Sequence, residues 1–461
     1  MSRSRFACVS AVAMSLIIAA WSGSVLAQST ARAAQAPRLD VDPLWPQPFP
    51  VEKHWALGSV TGITVDSRDH IWVTHRGVDS LQTNEKGPTL TPWAAECCYA
   101  APQVLEFDAS GKLLDGWGGP GDGYQWPQNP SGIAVDSKGN VWIAAAGVQA
   151  AAGARGRGAA PAAAPATTDT GNAVPAVPGA AAAAGRGARG AAAGAPAAGA
   201  ARGAAPNTAA PAAAPARGAR GAAAAVPGDA HVLKFTAGGS FRLQIGTPGQ
   251  SEGPDSKTTL SRPSALAIDE AANELYVADT GNRRIVVFDA TTGVYKRHWF
   301  GSGENVAGAA PAAYDPAAPP ARSFRDVTCV KIAPDGLVYV CDRSSDRIQV
   351  FQKTGAFMKE MVVAKDTRAE GSVWDLAFSN DAQARFLYVA DGLNKTVWIL
   401  QRDTLTPVSR FGDGGRYPGL FYAVDSVAVD SRGNVYTGEG LEGKRVQKWI
   451  NKGMGAPRPL N

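Results

Sequence analysis

One motif occurs six times between residues 60 and 450, and it constrains the fold more than any other feature of the chain. Each copy has a short apolar strand ending near an Asp, a tight turn, a second strand, and a third strand closing on Val/Ile-x-x-Phe/Trp. The first two strands read as Gly62–Asp66 with Ile71–Thr74, Gly132–Asp136 with Val141–Ile143, and Ala265–Asp269 with Leu275–Val277. The other three are Cys329–Ile332 with Leu337–Val340, Asp375–Phe378 with Phe386–Val389, and Ser426–Asp430 with Asn434–Tyr436. Third strands are expected at Gln103–Phe107, His231–Phe235, Arg284–Phe288, Arg347–Phe351, Thr396–Leu400 and Arg445–Trp449, and most copies continue into a fourth, as at Tyr295–Phe300. Short alternating strands joined by Asp-Gly, Lys-Gly-Asn and Arg-Gly-Asn turns are antiparallel hairpins, and four strands per repeat make a propeller blade. The sequence therefore predicts an all-β, six-bladed β-propeller of four-stranded antiparallel blades over residues 51–452, with a leader at 28–50 and a tail at 453–461. The sixth copy has no convincing fourth strand after Trp449. Lys-His-Trp-Ala-Leu-Gly at 53–58 matches Lys-Arg-His-Trp-Phe-Gly at 296–301, so a strand at 53–58 is expected to close the ring from the N-terminus.

Residues 148–228 interrupt the second copy with a tract of Ala, Gly, Pro and Arg. Bulky apolar side chains are almost absent from it, so it has nothing with which to build a core and reads as a disordered insertion. It also distorts the charge balance. The formal net charge is +5, but the tract carries +6 and Arg3 with Arg5 carry +2, which leaves the rest of the chain at −3. A basic nucleic-acid-binding core is excluded on that ground. Arg3 and Arg5 precede the apolar run Phe6–Ala20, and Val25-Leu26-Ala27 offers small residues for cleavage before Gln28, the pattern of a secretory signal over residues 1–27. The expectation is a secreted or periplasmic protein with no membrane span. Four cysteines remain beyond the signal. The turn at 334–336 places Cys329 opposite Cys341, where a cross-strand disulfide fits, while the adjacent Cys97 and Cys98 leave their pairing open.

In each blade the start of the first strand and the end of the second emerge on one face of the disc. First-strand starts deliver Thr61, Ser131, Ser264, Thr328, Trp374 and Asp425 to that face, and second-strand ends deliver His75, Ala145, Asp279, Asp342, Asp391 and Glu439. A propeller's channel mouth is concave and lined by several blades, which makes it the expected ligand site. One position further on, only the first and fourth blades carry arginine, Arg76 and Arg343. Blades one and four face each other across a ring of six, so two guanidinium groups converge on one mouth and suit a carboxylate or other small anion. His75 stands beside them as a candidate base or metal ligand. The carboxylates Asp279, Asp342, Asp391 and Glu439 offer either a Ca²⁺ site or anchors for their own turns, and Arg284 and Arg347 are placed to pair with Asp279 and Asp342.

The run Val-Ala-Asp279-Thr-Gly-Asn-Arg-Arg284-Ile resembles the NHL repeat. Within that group, Val-Thr-His75-Arg76-Gly77 and Asp342-Arg343-Ser-Ser-Asp-Arg347 are most similar to motifs of the peptidyl-α-hydroxyglycine α-amidating lyase (peptidylamidoglycolate lyase) catalytic domain. That family is a zinc enzyme that cleaves a carbinolamide to a peptide amide and glyoxylate with two arginines, a tyrosine base and three metal-binding histidines. The resemblance implies roles for Arg76 and Arg343. The histidine positions hold Ser131, Thr328 and Asp425, a poor zinc set, and the tyrosine falls in a gap near Thr280 and Gly281.

These features support an exported propeller that binds a small anion, a peptide or its carboxylate end, with Arg76, Arg343 and His75 as the reactive groups and Asp342, Asp279, Asp425, Ser131, Thr328 and Trp374 around them. No cofactor is expected; a divalent metal, zinc or calcium, is the open alternative, and a protein partner is compatible. The alternative function is a lyase of the peptidylamidoglycolate type, with His75 or an unaligned tyrosine as base. A metal-dependent lactonase is weaker, because it needs a clustered acidic and amide site. For the tract, excision of residues 150–226 with a short Gly/Ser join should leave thermal unfolding nearly unchanged, since loop length costs little. Limited proteolysis of the intact chain should cut there first, and resistance of the tract would contradict this.

Overall fold

The computed structural model describes residues 35–146, 229–302 and 311–460. The expected signal segment, residues 1–27, and the tract, residues 148–228, lie outside these residues. The described chain forms six four-stranded antiparallel sheets, one per sequence repeat. Blade 1 runs Val60–Val65, Ile71–His75, Val104–Phe107 and Leu113–Trp117 from the axis outward. The third strand of blade 2 begins at His231 and pairs with Ala145 at the end of its second, so the insertion leaves and rejoins one hairpin end. The first strands of successive blades pack against one another around the ring, and Val424–Val429 of blade 6 returns to Val60–Val65 of blade 1.

The repeated Asp is explained by its turn. Oδ1 of Asp66, Asp136 and Asp430 each accepts two backbone N–H groups of the following hairpin. The other oxygen accepts the ring N–H of Trp72 or Trp142, or the hydroxyl of Tyr436. One side chain thus fixes the turn and the buried aromatic of the second strand together. Those aromatics, with Tyr276, Tyr339 and Tyr388, are buried. Among the described residues, six apolar clusters fill the seams between neighbouring blades. Gly62 and Gly132 permit the close approach of first strands, since a Cβ on either would lie 2.7 Å or 2.5 Å from the carbonyl oxygen of Ser131 or Ser264 on the next blade.

The ring is closed by an N-terminal strand, but Ala36–Asp42 supplies it rather than residues 53–58. It pairs antiparallel with Val446–Gly455 of blade 6, with Leu39 opposite Asn451 and Val41 opposite Trp449. Chain length gives the reason. An outermost strand must cross its sheet, three strand spacings of about 4.8 Å, before the next first strand begins. Gly58 is two residues from Val60, whereas eighteen separate Asp42 from it. Residues 53–58 instead sit at the mouth face, where Trp55 and Ala56 pair in parallel with Tyr99 and Ala100. The propeller therefore starts at Ala36 and its last strand runs through Gly455, beyond both expected boundaries.

Cys329 lies opposite Cys341 in the blade 4 hairpin as expected, with the sulfurs in disulfide contact, and Cys97 pairs with its neighbour Cys98. Among the described residues no helix is long and apolar enough to cross a membrane.

Leu39 is 4% exposed against Val397, Phe411 and Trp449. Leu39→Ala should therefore destabilise the protein by about 2–5 kcal/mol, while Lys53→Ser on the exposed segment should change stability by less than about 0.5 kcal/mol. Chemical denaturation of both variants checks this; the reverse order of effects would return closure to residues 53–58.

Candidate functional site at the channel mouth

The register of each inner hairpin builds the mouth face. Val60 pairs with His75, Pro263 with Asp279, Val327 with Asp342 and Val424 with Glu439, so the second-strand ends stand at one level. In blades 1, 4 and 6 the backbone N–H that follows the end returns to the residue just before the first strand: Arg76 to Ser59, Arg343 to Asp326, Gly440 to Ala423.

Most of the expected ring serves the scaffold. Asp279 is fully buried, accepts the N–H of Ser261 at 2.6 Å and binds Arg284 at 2.7 Å. Asp342 accepts the N–H groups of Arg325 and Asp326 at 2.9 Å and binds Arg347 at 2.8 Å. Glu439 accepts the N–H of Tyr422 and pairs with Arg445. Ser261, Arg325 and Tyr422 each lie two residues before a first strand, so these carboxylates hold equivalent turns. His75 does the same for blade 1. Its Nδ1 accepts the N–H groups of Gly58 and Gly77 at 3.1 Å, and Gly58 is again two residues before the strand. Its Nε2 donates to the Pro102 carbonyl at 2.8 Å, and burial pushes the imidazole down to about 4. Both nitrogens are engaged by main chain and the ring is neutral, which leaves no atom for a base or a metal.

The hydroxyls at the first-strand starts stitch blade to blade. Thr61 donates to the carbonyl of Pro130 at 2.7 Å, Ser131 to Pro263 at 3.0 Å, Ser264 to Val327 at 3.1 Å and Thr328 to Trp374 at 2.9 Å. The zinc that the lyase resemblance implies does not fit here: two of its three positions, Ser131 and Thr328, spend their hydroxyls on neighbouring carbonyls. Calcium fares no better, because each turn carboxylate is committed within its own blade. Among the described residues, one further acid and histidine cluster, Asp66, His70 and Glu106, lies at the opposite hairpin turn of blade 1, where Arg68 binds both carboxylates at 2.7 and 3.1 Å.

The fifth and sixth blades break the hydroxyl pattern with Trp374 and Asp425, and these two residues join the arginines. The Arg343 guanidinium lies 4.8 Å above the Trp374 ring, whose N–H donates to Gly371. Asp326 fixes it through Nε at 2.9 Å and Nη2 at 2.8 Å, and Glu370 touches Nη2 at 3.1 Å. Nη1 of Arg343 makes no hydrogen bond among the described residues. Asp425 is half-buried, and desolvation pushes its carboxyl up to about 6 even though both Arg76 and Arg343 draw it down; Asp375 adds to the rise. One carboxyl thus feels both arginines. Asp326 was legible: of the residues just before the aligned first-strand positions (Ser59, Asn129, Arg262, Asp326, Ser372, Ala423), it is the one acid, and it belongs to the blade with Arg343. Glu370 sits in an irregular loop with no repeat register to reveal it.

Residues 260–288 match the NHL repeat model. No curated protein matches the chain. Among solved structures it is similar to a catalytically inactive virginiamycin B lyase from Staphylococcus aureus with quinupristin, at TM-score 0.40 and 10% identity over 91% of this chain and 88% of that one. It is also similar to the selenomethionine-substituted virginiamycin B lyase from the same organism, at TM-score 0.39 and 10% identity over 88% and 82%. With six four-stranded sheets following the six sequence repeats, the chain is a six-bladed β-propeller that carries an NHL repeat at residues 260–288.

Proposed function

We propose that this propeller is an exported binding protein that takes a small anion, a free or peptide carboxylate, between Arg76 and Arg343. The observation that carries the reading is the charge arrangement at Asp425, a carboxyl held near 6 in the field of both guanidinium groups. Arg343 is oriented by Asp326 and Trp374 and keeps Nη1 for a ligand, while Glu370, whose side chain is 48% exposed, is a displaceable partner. Binding an anion is then an exchange. The ligand carboxylate replaces Glu370 on Arg343, and Asp425 takes up a proton to remove the like charge beside it.

A second reading has one specific observation in its favour. A carboxyl titrating near 6 beside two arginines has the poise of a general acid or base at neutral pH, which suits a lyase of the peptidylamidoglycolate type with Asp425 in place of the family's tyrosine. Neither His75 nor Tyr314 supplies that base: His75 is bound at both nitrogens, and the Tyr314 phenol is pushed up by burial and Asp346. Incubation with a peptidyl-α-hydroxyglycine separates the readings, since glyoxylate release lost in Asp425→Asn would favour the enzyme.

Calorimetric titration with an N-acylglycine tests the binding reading. Arg76→Ala and Arg343→Ala should each weaken binding by about 1.5–3 kcal/mol, the double variant by less than the sum, and lysine replacements should recover little. Asp425 loses its charge as pH falls through about 6, whereas the ligand carboxylate stays ionised. Affinity should therefore rise roughly tenfold from pH 7.5 to 5.5, and Asp425→Asn should bind tightly at both. Unchanged affinity in the arginine variants, with lower melting temperatures, would make the arginines structural and overturn the reading.

A further inference from the structure

Outward from Arg343, over blade 4, lies a cleft of about 420 Å³ whose lining includes Arg283, Tyr314, Arg325, Ser344, Arg368 and Gly371. That volume is within the range of small-molecule sites. Ser344 follows Arg343 directly and Gly371 follows Glu370, so cleft and mouth share these two turns. The chemistry of the lining is mostly apolar with cationic points. Arg325 Nη1 donates to the Ala312 carbonyl, and its guanidinium stands 5.9 Å from the Tyr314 ring centroid. The Tyr314 hydroxyl is turned away onto the Lys365 carbonyl at 2.8 Å.

Arg325 differs from the scaffold arginines of the neighbouring turns. Arg284, Arg347 and Arg445 each bind a buried carboxylate of their own blade. Arg325 has no carboxylate within ion-pair distance among the described residues, and the nearby Asp342 is already committed to Arg347. Burial pulls its pKa down, and the field of the nearby Asp342, partly offset by the Arg347 charge, does not make up the loss. Arg368, exposed at the cleft edge, likewise has no ion pair among the described residues.

We propose that this cleft holds the second anionic group of the ligand whose first carboxylate sits at Arg343, so that the preferred ligand is a dianion with a short apolar spacer: an N-acylated acidic amino acid or the acidic C-terminal residue of a peptide. The inference rests on the anion reading of the mouth and adds which anion is chosen. Specificity arises because an uncharged isostere leaves Arg325 uncompensated, while the stem of the ligand covers Tyr314 and the alanines beside it.

N-acetylglutamate and N-acetylglutamine are the probes, equal in shape and different by one charge. Titration calorimetry at pH 7.5 should show the glutamate bound about tenfold more tightly. Arg325→Gln and Arg368→Gln should each shrink that ratio toward one and leave N-acetylglutamine affinity unchanged, whereas Arg343→Ala should weaken both ligands. Arg368 is exposed, so its variant keeps the test alive if Arg325→Gln fails to fold. Equal affinity for the two probes in the native protein, or a ratio unaffected by the cleft variants, overturns the cleft proposal and leaves the mouth reading standing. Binding of neither probe overturns both.

Discussion

The pairing of Ala36–Asp42 with Val446–Gly455 is the constraint on which the rest depends. A ring of blades buries its seams only when it is complete, and without this strand blade 6 presents an open edge and leaves Trp449 and Phe411 without Leu39. The functional consequence is direct. Blade 6 carries Asp425 and blade 1 carries Arg76, and they meet only because Val424–Val429 returns to Val60–Val65 across the closing seam. Stability of the ring and electrostatics of the mouth are one problem.

Within the closed ring, the inner hairpins follow one plan and the site is where the plan fails. Four blades put a hydroxyl at the first-strand start and bind it to the next blade's carbonyl. Blade 5 substitutes Trp374 and blade 6 Asp425, and Asp375 of blade 5 bridges to blade 6 by accepting the N–H of Val427 at 3.0 Å. Freed from stitching, Trp374 carries Arg343 on its face, and Asp425 lies in the electrostatic field of both arginines. Departures from a structural repeat mark residues released from scaffold duty, and here they cluster at one mouth.

The blades were legible because the buried aromatic of the second strand, present in all six copies, and the Asp that ends the first strand in four of them leave a fixed spacing. The turn roles of Asp279 and Asp342 followed from the arginines five residues later, although the same residues also stood among the expected ligand groups, where full burial excludes them. His75 misled for a physical reason: a histidine at the position of a turn acid accepts the same backbone N–H from Gly58 that Asp279 accepts from Ser261. The closing strand was hidden because it carries none of the repeat's signals. Its Leu39 and Val41 alternate with Arg38, Asp40 and Asp42, a strand pattern, but nothing in it matches the repeats, whereas residues 53–58 matched by composition and lacked the chain length to reach the rim. The Glu370 contact to Arg343 arises from a loop whose course no periodicity sets.

The central claim is that Arg76, Arg343 and Asp425 act on one another across a single mouth, and the Asp425 carboxyl reports it. A carbon-13 NMR titration of that carboxyl should give a midpoint near 6, against an ordinary 3.8. Because each arginine favours the ionised form, Arg76→Ala and Arg343→Ala should each move the midpoint upward. A midpoint near 4 that neither variant shifts would show that the three groups do not share a site and would remove the basis of the account.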